Sequence, residues 1–159
     1  EEFLLSKDIK QNAKTIILEL LKAQDVSKVV KVRNKDNIID VVKPAGKDCV
    51  IVACATQVAP QHLDLMNQAD KKTQKDFIME LNFGLNSFLV DYELQVSHDI
   101  LQQFVITDQI FEDGLTKNEL VRTIKRVFKS KLQCIWLIDQ KFGTLQVNVT
   151  PSNENDMFI

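Results

Sequence analysis

Thr116-Lys117-Asn118-Glu119 sets a threonine three residues ahead of a glutamate, directly before a long apolar periodicity. That arrangement is a capping box, in which the threonine hydroxyl and the glutamate satisfy amide groups that a helix start leaves open. Behind it, Leu120, Val121, Ile124, Val127, Phe128, Leu132, Ile135, Ile138 and Phe142 recur at helical spacing. Gly143 then serves as a C-terminal cap. A helix with so broad an apolar face cannot stand alone and must bury that face on a second layer. Cys134–Ile138 is apolar all round, which leaves a terminal strand open as an alternative there.

The rest of the chain supplies the second layer. Ser6 is placed to cap a first helix with Ile9, Ala13, Ile16, Ile17, Leu20 and Leu21 on one face, ending near Gln24. Val29–Arg33 and Ile38–Lys43 are β-branched runs around the polar turn Asn34-Lys35-Asp36-Asn37. Cys49–Thr56 is apolar on both faces, which predicts a central strand covered on both sides. Pro60 opens a short helix, and Asp70 caps a longer one running to about Leu85, with Phe77, Ile78, Leu81 and Leu85 as its stripe. Phe88 to Val96 alternates with period two. Ser97-His98-Asp99 then turns the chain into a return strand, Gln103–Phe111. The expected fold is α+β. It is a single antiparallel sheet of about five strands, with helices mainly on one face and the order α-βββ-α-ββ-α. Residues 1–143 read as one domain and 144–159 as a C-terminal tail with weak strand character at Leu145, Val147 and Val149.

Function classes fall away one by one. The glycines stand at 46, 84, 114 and 143, too far apart for two to share a phosphate-cradling loop, so a P-loop and a dinucleotide fingerprint are excluded. Cys49, Cys54 and Cys134 are odd in number and sit in apolar runs, which points to buried thiols in a reducing cytoplasm. Cys49 and Cys54 are five apart on a strand and face opposite sides, so they cannot chelate together. His62 beside Asp64, and His98, read as surface polar residues. Asp91 and Glu93 share a strand face and read as solvated. No residue set nominates a catalytic centre, a metal or another cofactor, so the expectation is a protein that is not an enzyme and needs none. No apolar run reaches membrane-spanning length.

Charge is uneven within a net −2. Residues 61–115 carry 3 basic and 10 acidic groups, and residues 116–142 carry 7 and 2. The simplest consequence is a basic last helix lying near an acidic middle segment. Arg122, Lys125, Arg126 and Lys129 form the basic face of that helix. No aromatic residue interleaves with them, so a solvated face is favoured over nucleic-acid binding. Partner binding has better grounds. Met79 and Phe83, four apart, form a second apolar stripe on a helix that already has one. Trp136 and Leu137 fall away from the main stripe of the last helix. Apolar surface on a second side marks a subunit or partner contact, and a homodimer through one of these patches is expected.

The element order resembles the type III secretion chaperone-like superfamily, which includes the YbjN-like proteins and uncharacterised archaeal domains. Ile110-Phe111-Glu112-Asp113-Gly114-Leu115-Thr116, followed by Leu120 and the basic amphipathic helix, is most similar to the archaeal members. The resemblance spans about Ser6 to Phe142. It implies a small α+β fold that forms homodimers. It also implies an apolar surface for an extended protein segment near Ile9, Ile16, Val30, Val32 and Val41. Secretion chaperones are strongly acidic, and this chain is not.

Overall fold

The computed structural model describes residues 2–4, 7–34 and 37–143. The Ser6 cap, the centre of the Lys35-Asp36 turn and the tail with Leu145, Val147 and Val149 lie outside the described residues. The elements in chain order are β1 (Glu2–Leu4), α1 (Lys7–Lys22), β2 (Lys28–Asn34), β3 (Asn37–Lys43), β4 (Cys49–Gln57), α2 (Pro60–Gln68), α3 (Lys71–Ser87), β5 (Asp91–Ser97), β6 (Ile100–Phe111) and α4 (Lys117–Phe142).

The strands form one sheet in the order β1-β2-β3-β4-β6-β5. The five expected strands are antiparallel to one another along the sheet, and β1 adds a short sixth at one edge, parallel to β2. A strand of three residues has no period to read, so its sequence carried no signal for it. The β2–β3–β4 meander puts β4 in the interior, and β6 returns beside it while β5 takes the far edge. His98 (φ 52°) and Asp99 (φ 66°) both adopt the left-handed region. Two such residues make the tight hairpin turn whose twist matches the flanking strands.

The last helix is continuous, which settles the alternative at Cys134–Ile138 in favour of helix. Cys134 and Ile138 point inward and Trp136 outward. Thr116 Oγ1 accepts from the Glu119 amide at 3.2 Å. The reciprocal arm of the box is replaced. The Thr116 amide donates to the Gly114 carbonyl, and the Glu119 carboxylate takes Thr123 and Arg122 instead. Asp70 caps α3 through the Thr73 amide at 2.7 Å. This charge-assisted bond holds the Asp70 carboxyl below its ordinary range. The expected strand start at Phe88 is instead the C-cap of α3, and Leu89 follows at φ 57°.

α4 crosses the middle of the sheet over β4 and β6, with α1 on one flank and α3 on the other. Val30, Val32, Ile39, Val41, Val50, Val52, Cys54, Phe104 and Ile106 supply the sheet side of the core. Leu120, Ile124, Val127, Cys134 and Ile138 close it from α4. Ile16, Val30, Val32 and Val41 are fully buried here, so they are not the segment-binding surface the resemblance implied, and the side chain of Ile9 lies outside the described residues.

One strand expectation is corrected. Ile51 and Ala53 are only half-buried and Ala55 is exposed, so β4 is covered on one side rather than two. Among the described residues, no helix lies on that second face. The ladder register places Val29, Ile38, Val42, Ile51, Ala53, Ala55 and Val105 on it together, with Thr107 and with Asp40, which pairs with Lys31 at 3.0 Å, among them. Lys31 and Arg33 on β2 border it on one side, and Asp91 and Glu93 on β5 border it on the other.

Candidate binding surfaces

α3 and α4 pack side by side in opposite directions. Phe77 meets Phe142 edge to face at 5.0 Å, and Glu80 pairs with Lys141 at 2.7 Å. Gly84 takes the place of a side chain at this seam. A Cβ there would stand 2.5 Å from Gln133 Nε2, so the glycine lets that amide lie against the α3 backbone. On the same two helices, three large apolar side chains project into solvent. Met79 is 51% exposed, Phe83 68% and Trp136 65%. Leu137, predicted beside Trp136, is half-buried against the core and lines the narrow cleft at Gly84. The two predicted stripes therefore flank one helix–helix seam, with Leu137 inside it.

The basic face takes a definite shape. Lys117, Arg122, Lys125, Arg126 and Lys129 line an open groove of about 890 Å³, together with Ser87, Phe88, Asn118 and Val121. Arg126 is held at 2.6 Å by Asp108, which rises from the core face of β6, and Arg122 lies 3.9 Å from Glu119. The Arg126–Asp108 and Lys141–Glu80 pairs join the basic helix to the acidic middle segment, as the charge distribution suggested. Leu89 sits next to this groove, 84% exposed and in a backbone region that L-residues rarely occupy. Sequence reasoning missed it, because a solvent-facing leucine after a helix looks like a strand residue.

His62 is a second correction. It is buried rather than at the surface, and its partner is not Asp64. Its Nε2–H donates to the Gly143 carbonyl at 2.8 Å, with Asp139 Oδ1 3.6 Å away. This ties α2 to the end of α4. Beside it lies a cavity of about 300 Å³ lined by Val58, Phe104, Ile135 and Ile138, where Thr56 Oγ1 is buried without a hydrogen-bond partner among the described residues.

Lys43 had no signal in the sequence. It ends β3 on the core face, is 2% exposed, and donates to the Lys47 carbonyl and to Glu112 at 2.9 Å. The pair fastens the β3–β4 turn to the end of β6.

The thiols are buried, as expected. Burial pushes Cys54 up to about 11, against the opposing charge of Lys131. Burial and the neighbouring Cys54 push Cys134 to about 12. Both are protonated at neutral pH, the opposite of an activated nucleophile. Among the described residues, no group of three His, Cys, Asp or Glu side chains is placed to hold a metal ion. Asp91 and Glu93 lie exposed on the edge strand. No described helix is long and apolar enough to cross a membrane.

Residues 22–138 match the family described as an uncharacterized conserved protein, DUF2299. The chain belongs to this family. A solved structure of an uncharacterized protein from Methanothermobacter thermautotrophicus is 33% identical, with a TM-score of 0.68 over 82% of this chain and 99% of that one. None of the curated proteins matches. In DUF2299 terms, the matched span runs from the end of α1 almost to the end of α4. The α3–α4 seam residues Met79, Phe83 and Trp136, the basic groove and the bare sheet face all lie inside it.

Proposed function

We propose that this protein is a non-enzymatic, cytoplasmic binding module with a secretion-chaperone-like fold. It acts as a homodimer and presents the α3–α4 seam to an extended segment of a protein partner. The observation that carries this reading is the exposure of Met79, Phe83 and Trp136 around one seam. Large apolar side chains gathered on one surface are the usual anchors of a protein contact. Trp136 is the sole tryptophan, so its emission reports directly on burial of this surface. A phage-displayed random peptide library should yield binders that shift Trp136 emission to the blue. Met79→Asp with Phe83→Asp should abolish their binding. Enrichment that survives this double change, or no enrichment at all, overturns the assignment of the seam. A monomeric mass by light scattering at micromolar concentration would remove the dimer.

A second reading rests on the groove. Five cations converge there over the apolar floor of Phe88 and Val121, and such a surface fits the phosphate backbone of a nucleic acid. A mobility shift with mixed DNA and RNA that weakens steeply with salt would favour it, and no shift at low salt would end it.

A further inference from the structure

We infer that the bare face of the sheet is where two copies of this chain meet, sheet against sheet, around a twofold axis that runs along β4. The inference deepens the homodimer reading and rests on it, by assigning the contact to a surface away from the helical seam.

Three observations support this occupant. The first is the size and chemistry of the face. Its five antiparallel strands, spaced about 4.8 Å apart and each presenting about 20 Å of length, give a footprint of roughly 500 Å² per copy. Two copies together then reach the roughly 1,000 Å² that a specific contact requires. Val29, Ile38, Val42, Ile51 and Val105 give it a mainly apolar surface, interrupted by Asp40 and Thr107, although no described helix covers it. Phe111 adds an exposed aromatic at one end.

The second is the small centre. β4 presents Ile51, Ala53 and Ala55 outward. On a twofold axis along this strand each residue faces its own copy, and two alanines let the sheets approach closely.

The third is charge. A rotation about β4 carries β2 of one copy over β5 of the other. Lys31 and Asp91 share one cross-strand row, running through Asp40, Ala53 and Thr107. Two residues further along the same strands, Arg33 pairs with Ile38 and Glu93 with Val105. The rotation keeps rows in line. Lys31, which pairs with Asp40 of its own chain at 3.0 Å, then lies over the second copy's Asp91, and Arg33 over its Glu93, twice per dimer, so the β2 side keeps an excess of positive charge opposite the acidic β5. An axis across the strands would instead set β2 over β2 and β5 over β5, like charge on like. The charge pattern therefore selects one orientation.

Light scattering, Trp136 emission and cross-linking test this on the full chain. The mass should double with rising concentration while Trp136 emission stays that of a solvent-exposed indole. Ala53→Arg should raise the dimer dissociation constant by about a hundredfold with an unchanged circular dichroism spectrum, because it seats a charge on the axis. Lys31→Glu should weaken the dimer by about tenfold, and adding Asp91→Lys should restore it. Ala53→Cys should cross-link to its own copy with a short bis-maleimide, whereas Phe83→Cys should not; the native thiols are buried and silent. A monomer at every concentration overturns both this inference and the homodimer reading. A dimer that Ala53→Arg leaves intact, and that Met79→Asp with Phe83→Asp dissolves, overturns the sheet-face assignment alone.

Discussion

The two sides of β4 differ in a way that its sequence does not reveal. Val50, Val52 and Cys54 are sealed under α4, whereas Ile51, Ala53 and Ala55, interleaved with them, lie half-open or open. Both sets are apolar, and both belong to the same nine residues. The difference teaches that an apolar strand face reports the need for a cover and not its presence. On one side the chain supplies that cover itself; on the other, no described helix does.

Substitution should separate the faces most sharply at neighbouring positions. Val52→Asp buries an unpaired carboxylate under α4 and should cost at least about 4 kcal/mol, enough to abolish cooperative unfolding in a urea titration. Ala53→Asp, one residue on, should change the monomer's stability by less than about 0.5 kcal/mol. Equal losses at the two positions would erase the distinction. Lys43 refines it, because the covered face already holds a charge there, matched by Glu112 and the Lys47 carbonyl. Lys43→Ala should cost about 2–3 kcal/mol by the same titration, since it takes the donor from a part-buried carbonyl and leaves Glu112 without its cation.

The covered side also sets an alkaline limit. Cys54 and Cys134 hold their protons more tightly in the fold than in the unfolded chain, whose thiols titrate near 9.0. Their contribution is complete below that pH. It is lost as the pH climbs through about 11 for Cys54 and about 12 for Cys134, so thermal midpoints should fall over this window. Replacing both cysteines by alanine should flatten that part of the profile. The smallest expected effect is at Leu89, outside both faces. Leu89→Gly relieves a left-handed backbone and should stabilise the monomer by about 0.5–1 kcal/mol, read as a shift of the urea midpoint at constant slope.

What the sequence disclosed follows the same logic. α4, α3 and the β2–β3–β4 meander were legible because caps, turns and periodicity agreed there. Met79, Phe83 and Trp136 were legible as surface because each lies off its helix's main stripe. Leu137 was not, since its burial depends on the neighbouring helix meeting it at Gly84. Lys43, His62 and the bare face depend on residues far away in the chain: Glu112, Gly143 and the cross-strand register. No local pattern encodes such meetings.

The notch at Gly84 carries a consequence for the family's history. Only the far end of the half-buried Gln133 side chain reaches the space that a side chain at 84 would need, and no backbone atom stands there. A turn of the Gln133 amide would make room for a methyl group at 84. Relatives that keep a long residue at the position of Gln133 should therefore still accept alanine at that of Gly84, and the seam would leave its mark on the family as a preference for small residues at one position and not as a locked pair.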